Sequence, residues 1–382
     1  MTSHEALLLA PSSYYAPVPT LMIDTQGLIV DFNIALRVLM HPDIEGARYQ
    51  AVDELSAKIR QRAEGDLLPR INWSCGGEAA PAGGEPERVM EQYISATRCR
   101  YRSNCCGWAE LRRTALGYLE SGSGTPLGTM IYMEVQSAEN EGELWKTLSR
   151  EHRRQLTWES YAVSYDRVLP LLPFYQEVVK RHVESMSAPD IENILDLGAG
   201  TGNVTVELLK INRKVTALDL SRAMLAKLRT KVLGKHADQL TIMEQNAEFL
   251  PQWGDGIFDG VTVLLAYYDM TDPTSAFREA IRVLRPGGSI VITEPKRAFQ
   301  LEPLLEFVDR FLTKEGIYDE FRADWERVIS ANKELDPAKR GAPLRAEDIV
   351  DHLQAAAFEN IEMEDSHLGN CATIWARKPR HV

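Results

Sequence analysis

The sequence predicts two domains, a doubly wound α/β sheet over residues 158–382 and a smaller α+β domain over residues 1–137. Three observations lead there. From residue 158 onward, apolar runs of strand length alternate with helical stretches, the pattern of a parallel sheet covered on both faces. The last two strand-like runs, 360–364 and 371–377, are joined only by DSHLGN. So short a link forces an antiparallel pair, because a parallel crossover takes a dozen or more residues. Before residue 137 the rhythm differs. Short strands are broken by GGEAAPAGGEP (76–86) and SGSGTPLG (121–128), and the acidic SAENEGE (137–143) closes the region. A linker helix over 138–157 is expected between the domains, and WKTLSREHRRQLTWESYAVSYD (145–166) reads as helix.

The bulk properties agree. A chain of 382 residues is too long for one ordinary core, and 44% hydrophobic with 26% charged residues is a globular composition. A formal charge of -12 argues against a nucleic-acid or anionic-membrane surface, which needs clustered Lys and Arg. Arg100, Arg102, Arg112 and Arg113 come nearest to such a patch and read as a solvated strand face. No run approaches the roughly 18 apolar residues of a membrane span, and MTSHEALLLAPSS lacks the basic start of a secretory signal. Five cysteines, Cys75, Cys99, Cys105, Cys106 and Cys371, are odd in number and without C-x-x-C spacing. They read as free thiols in a reducing cytoplasm, with no metal site expected.

The elements of the larger domain follow in order. Strands are expected at 193–197 (NILDL), 215–219, 240–244, 258–265 and 289–293, each after a helical stretch, and the terminal hairpin brings the count to seven. An insert over about 296–345 carries two helical stretches, LEPLLEFVDRFL and DEFRADWERVISANK, and would form a lid. Its apolar stripe, including Leu304, Phe307 and Phe311, serves either packing or substrate binding.

The first strand runs into LDLGAGTG (195–202), a tight glycine turn before a helix. Such glycines permit positive φ and let a ligand lie on the backbone, and the free N–H groups of the helix start receive an anionic group. The G-x-G-x-G spacing differs from the G-x-G-x-x-G of pyrophosphate sites. Asp196, at the strand end, would repel a pyrophosphate but suits a ligand with an ammonium and a sulfonium. The methionine end of S-adenosylmethionine carries both. The second strand ends in Asp219, whose carboxylate can accept two hydrogen bonds from ribose hydroxyls.

Five motifs then stand in order: ILDLGAGTG (194–202), VTALDLSRAML (215–225), QNAEFLP (245–251), FDGVTVLLAYYDMTDP (258–273) and RVLRPGGSIVITEP (282–295). With them the chain resembles the class I S-adenosylmethionine-dependent methyltransferases over residues 158–378. The resemblance implies a Rossmann-like seven-stranded methyltransferase sheet, five parallel strands plus an antiparallel terminal hairpin, with S-adenosylmethionine as cofactor. It also implies Gly198, Ala199, Gly200 and Gly202 around the methionine moiety, Asp219 on the ribose, and Leu220 and Met224 against the adenine. Asn246 stands where many members carry an Asp that accepts from the adenine amino group, the Ala247 N–H would donate to a ring nitrogen, and Leu265 ends the fourth strand beside them. Tyr161 and Tyr165 resemble the lid helix that closes over the cofactor, where a tyrosine face attracts a sulfonium; the alternative is helix packing. A dehydrogenase would share the sheet but not the glycine spacing or Asp196.

The sulfonium is already activated, so the enzyme mainly aligns the acceptor and excludes water. A base is needed only where the acceptor must lose a proton. Candidates are Tyr268, Asp269, Glu294 and His367, all expected at the C-terminal edge of the parallel strands. Related enzymes carry histidines after the fourth strand, and those places fall here on Tyr268 and Asp269. Glu294 is read either as a substrate contact or as an acceptor for backbone N–H groups. His367 lies in the turn of the terminal hairpin, either on the cofactor edge or merely solvated. The expected function is methyl transfer to a small molecule in specialised metabolism. The alternatives are a regulatory protein that only binds the cofactor, and a protein methyltransferase.

In the smaller domain, VPTLMIDTQGLIVDFNIALRVL (18–39) resembles the opening of a PAS domain: a strand, a turn at Asp24 and Gly27, a second strand, and Asn33 capping a helix. Strands at 90–101, 107–120 and 129–135 continue it. The resemblance implies a ligand sensor, a dimer interface or both. The reading taken is a dimerisation and substrate-positioning module, with a homodimer through this domain; the alternative is a sensor through which a cofactor-binding regulatory protein signals. No flavin-adduct motif is present, and of the two histidines, His4 and His41, neither is well placed for haem, so no tightly held cofactor is expected there.

Overall fold

The structure, a computed structural model, describes residues 18–24, 26, 28–40, 43–44, 47, 50–64, 68, 90–119, 126–236, 238–335 and 344–380. His4, Gly27, His41 and Cys75 lie outside them. Contacts divide the chain into two units, Met1–Arg153 and Arg154–Val382.

The first unit contains β1 (Thr20–Asp24), β2 (Ile29–Phe32), α1 (Ile34–Met40), α2 (Val52–Ile59), β3 (Ala63–Glu64), β4 (Met90–Ser103), β5 (Gly107–Leu119) and β6 (Pro126–Ala138). The strands form one antiparallel sheet in the order β2-β1-β6-β5-β4-β3. Asp24 makes the expected turn: its Oδ1 accepts from the N–H groups of Gln26 and Leu28 at 2.8 and 2.9 Å. Asn33 caps α1, its Oδ1 accepting from Leu36 N–H at 3.0 Å. Leu21, Ile23, Ile29, Leu36 and Leu39 are fully buried and join the strands to α1 in one core. Cys99, Cys105 and Cys106, like Cys371 further on, are free thiols.

The helix expected over 138–157 is longer. It is α3, a single helix over Glu141–Val168 that carries Tyr161 and Tyr165 in its last turns. No Pro or Gly interrupts the chain between Gly142 and Pro170, so nothing stops the helix before Val168.

The second unit continues with α4 (Pro173–Ser185), β7 (Asn193–Leu197), α5 (Asn203–Lys210), β8 (Lys214–Asp219), α6 (Arg222–Lys231), β9 (Leu240–Glu244), β10 (Phe258–Leu264), α7 (Pro273–Val283), β11 (Leu284–Pro295), α8 (Leu301–Lys314), α9 (Tyr318–Glu334), α10 (Ala346–Ala355), β12 (Glu359–Ser366) and β13 (Cys371–Arg377). The seven strands lie in the order β12-β13-β11-β10-β7-β8-β9. β7 to β11 are mutually parallel, and β13 runs antiparallel between β11 and β12. This is the expected Rossmann-like sheet of five parallel strands and an antiparallel terminal hairpin, with β11 longer at both ends than the expected 289–293.

Period-two alternation sorts the strands onto two faces. Ile194, Ala217, Leu264 and Val291 enter one core with helices α4, α5, α6, α8 and α9. Leu195, Leu197, Val263 and Ile292 enter the other with α7 and α10. On the first face a buried histidine staples α4 to the sheet: His182 Nδ1 lies 2.6 Å from Thr262 Oγ1 and Nε2 lies 2.8 Å from Thr293 Oγ1. Burial pushes its pKa down to about 3, so it stays neutral and satisfies both hydroxyls. After β9 the chain crosses back to β10 on the far side of β7. The strand order therefore reverses between β7 and β10, where open parallel sheets hold ligands. Among the described residues, no helix is long and apolar enough to cross a membrane.

Candidate active site

At that switch point the glycine turn leaves β7 with three positive φ angles, 73° at Gly198, 56° at Gly200 and 78° at Gly202. It bounds a cavity of about 1000 Å³ including its open mouth. Gly198, Gly200, Asp219, Leu220, Met224, Asn246, Ala247, Leu265, Tyr161 and Tyr165 all line it, as do Tyr268 and Asp269. Asp219 ends β8 with its Oδ1 accepting from Ser221 N–H at 2.8 Å and its Oδ2 from Gly200 N–H at 2.9 Å. Burial raises its carboxyl to about 6 against the opposing pull of those N–H groups. Asn246 Oδ1 already accepts from Glu248 N–H at 3.0 Å and keeps a second lone pair.

Three expected cofactor residues stand off the cavity wall. Asp196 is buried at 2% exposure, and its Oδ2 accepts from Thr205 Oγ1 at 2.5 Å beneath α5. Burial raises its carboxyl to about 7. At the end of β7 its side chain takes the strand face of Ile194, toward the helices, so it supports the turn from below. Gly202 is the N-cap of α5, where an added Cβ would meet Leu228 Cδ1 at 2.2 Å. Ala199 packs into the core. These two serve the turn's conformation rather than its lining.

The α3 residues arrive through a set of polar ties. Glu159 accepts from Ala223 N–H at 3.1 Å, in the first turn of α6, where a carboxylate suits the helix dipole. Gln155 Nε2 donates to Leu220 O at 3.0 Å, and Arg154 Nη1 to Thr271 Oγ1 at 2.8 Å. Trp158, Tyr161 and Tyr165 form an aromatic row with ring centroids 5.6 and 5.2 Å apart. Tyr165 OH lies 2.8 Å from Tyr175 OH, which accepts from Asn203 Nδ2 at 3.0 Å. Burial raises the hydroxyl pKa of Tyr161 and Tyr165, and that of Tyr175 to about 12. These rings therefore present neutral π faces to a cation.

A second cavity, about 700 Å³, shares Tyr161, Leu169, Leu265, Tyr268 and Asn332 with the first. The rest of its lining is apolar save for His367 and Cys371, and α8 and α9 supply Leu301, Leu304, Leu305, Val308, Trp325 and Val328. The lid insert thus forms much of this cavity. Of the expected stripe only Leu304 lines it; Phe307 and Phe311 pack against the core. Asn332, on α9, donates from Nδ2 to Tyr161 OH at 3.1 Å. Asp324 on the same helix accepts from Ser164 Oγ and Arg167 Nη1 at 2.9 and 2.5 Å, so α9 is latched to α3.

The four acid–base candidates separate. Tyr268 lines both cavities. Asp269 lines only the first, where its Oδ2 accepts from Trp158 Nε1 at 2.5 Å and lies 3.7 Å from Arg154 Nε. Glu294 lines neither. It is fully buried, and its oxygens accept from the N–H groups of Ala266, Tyr267 and Tyr268 at 2.7, 2.7 and 3.2 Å. The structure therefore places it against backbone N–H groups, the second of its two expected readings. It folds the loop that carries Tyr268 and Asp269, and burial raises its carboxyl to about 8. His367 is buried rather than solvated and lines the second cavity.

Sequence reading missed Arg154, Gln155, Trp158 and Asn332 as lining residues. Trp158 had a signal, since it precedes Tyr161 by three residues and so shares its helix face. Asn332 had none, because the lid brings it from far along the chain. Among the described residues no group of three or more His, Cys, Asp or Glu is placed to hold a metal ion.

Comparison with known proteins agrees with this geometry. Residues 195–292 match the family model described as a methyltransferase domain. The chain is 29% identical over 189 residues to the ubiquinone/menaquinone biosynthesis C-methyltransferase UbiE of Proteus mirabilis, covering 47% of this chain and 74% of that protein. It is 26% identical over 230 residues to the UbiE of Yersinia pestis, covering 57% and 88%. Among solved structures it is similar to the N-methyltransferase NodS of Bradyrhizobium japonicum in complex with S-adenosyl-l-homocysteine, at 18% identity and a TM-score of 0.40 over 58% of this chain and 98% of that one. A SAM-dependent methyltransferase from Aquifex aeolicus is similar at 16% identity and a TM-score of 0.34, over 53% and 88%. The matched segment holds the glycine turn and Asp219, and the chain is an S-adenosylmethionine-dependent methyltransferase with S-adenosylmethionine as its cofactor.

Proposed function

We propose that the protein transfers the methyl group of S-adenosylmethionine to a small, mainly apolar acceptor seated in the second cavity. The observation that carries this is the shared wall: Tyr161, Leu265, Tyr268 and Asn332 line both cavities. A cofactor held by Asp219 and the glycine turn would direct its sulfonium methyl across that wall, in line with an acceptor beyond it. Catalysis would then rest on alignment and exclusion of water. The aromatic row of α3 would stabilise the sulfonium. The cofactor side would use Gly198, Gly200, Leu220, Met224, Asn246 and Ala247; Tyr268 would meet the acceptor.

The insert favours a small molecule over a protein substrate, since α8 and α9 wall the second cavity with apolar side chains. The names of the two curated relatives speak of carbon methylation in quinone biosynthesis, which adds weight to an apolar ring carbon as acceptor. For the N-terminal unit we propose a PAS-like fold acting as a dimerisation module. The antiparallel order β2-β1-β6-β5-β4-β3 and the Asn33 cap support it.

The test is a cell extract supplied with isotope-labelled S-adenosylmethionine and the purified protein, with products resolved by mass. Label should enter a small organic-soluble compound. Filling the second cavity with Val328→Trp should abolish that product while cofactor affinity stays within about threefold. Label found only on polypeptides would refute the proposal.

A further inference from the structure

The second cavity holds a feature that alignment of sulfonium and acceptor does not use. His367 lines it without lining the first cavity. It stands in a turn of three successive left-handed residues, with φ of 47° at His367, 58° at Leu368 and 83° at Gly369. Two of these are not glycine, and strained backbone of this kind gathers at functional sites. The turn is held by Asn370, which donates from Nδ2 and from N–H to His367 O at 3.2 and 3.1 Å. Asn370 Oδ1 in turn accepts from Gln300 N–H at 2.7 Å, at the start of the lid helix α8. The imidazole packs against Phe174 with centroids 4.9 Å apart, its Nδ1 lies 3.3 Å from Ser366 Oγ, and no described residue bonds Nε2.

We propose that His367 anchors the acceptor. Its imidazole would hydrogen-bond the one uncharged polar group, a hydroxyl or a carbonyl, of an otherwise apolar molecule, and hold the methyl-accepting atom at the Tyr268 wall. Two observations fix this ligand chemistry. No side chain lining the cavity among the described residues is Asp, Glu, Lys or Arg, so a phosphate, carboxylate or ammonium would be buried without a counter-charge, at heavy cost. Burial also holds the imidazole pKa down to about 4. The ring is therefore neutral near pH 7, with one nitrogen to donate and one to accept. A phenolic hydroxyl ordinarily ionises near 10, so a base this weak is a poor sink for its proton. Anchoring, and not general-base catalysis, is the role the site supports for His367.

This inference rests on the second cavity being the acceptor site, and the test keeps the two apart. The full chain, saturated with S-adenosyl-l-homocysteine, is titrated calorimetrically with naphthalene and with 2-naphthol, which differ by one hydroxyl. Both should bind the native protein. In His367→Phe, which keeps a ring against Phe174 but removes both nitrogens, the preference for 2-naphthol over naphthalene should fall roughly two- to tenfold, the worth of one neutral hydrogen bond. His367→Asn, whose residue tolerates the left-handed backbone, is the second variant should the first misfold, with the same fall expected. An unchanged preference in a folded variant overturns the anchor and leaves the cavity assignment standing. Failure of both probes to bind the native protein, or their undiminished binding to the cavity-filling Leu305→Trp, overturns the cavity assignment and the anchor with it.

Discussion

Replacing Asp219 by Ala tests the ribose contact proposed for it. In the native protein each carboxylate oxygen takes one backbone donor, Ser221 N–H at 2.8 Å and Gly200 N–H at 2.9 Å. Each oxygen has room for a second donor, and the residue lines the cofactor cavity. On the proposed reading, two ribose hydroxyls fill those places. A hydrogen bond to a charged group contributes about 1.5–3 kcal/mol, so losing two costs about 3–6 kcal/mol. That corresponds to a rise in Kd on the order of 10²–10⁴-fold. Calorimetric titration with S-adenosylmethionine at pH 7 measures it, with a thermal melt to show that the variant is folded. A pH series adds a second signature. Burial raises the Asp219 carboxyl to about 6, and the ionised form is the stronger acceptor, so native affinity should rise between pH 5 and 7 and the variant should lose that part of the slope. A folded Asp219→Ala protein binding within threefold of native would refute the ribose assignment.

Three further outcomes follow from the same geometry. Gly200→Ala should fold and bind cofactor poorly, whereas Gly202→Ala should lower Tm by several degrees, because an added Cβ at Gly200 meets nothing within 4 Å but one at Gly202 meets Leu228 at 2.2 Å; equal melting temperatures would contradict this. Burial raises the folded-state carboxyls of Asp196, Asp219 and Glu294 to about 7, 6 and 8. The folded chain thus keeps protons that the unfolded chain has released, and the unliganded protein should lose stability from about pH 4 toward pH 8. Glu294→Gln, neutral throughout, should flatten the upper part of that fall in thermal unfolding, and a slope identical to native would count against it. Asp269→Asn should weaken cofactor binding several-fold, since Asp269 holds Trp158 and Arg154 on the cofactor cavity. Turnover at saturating cofactor should stay near native, and a hundredfold loss there would restore Asp269 as a base.

Much of the molecule was legible in one dimension. Alternation placed β7, β9 and β13 to the residue, and the six-residue link before Cys371 dictated the antiparallel hairpin. The glycine spacing with Asp219 named the cofactor, because a turn that close to a ligand depends on local backbone conformation, and local conformation is written in local sequence. What the sequence could not carry is which neighbour each side chain would meet. Asp196 and Glu294 sit at strand ends that any reading would assign to the ligand edge. Only the packing showed that Thr205 and three backbone N–H groups had already claimed their carboxylates. The sequence leaves His367 either on the cofactor edge or solvated, and only the packing of Phe174 from α4 and the turn held by Asn370 beside α8 bury it in the second cavity. Asn332 and Trp325 reach the site from more than 150 residues beyond Tyr161. Contacts across such separations depend on how whole helices settle against the sheet, and no local pattern of residues encodes that.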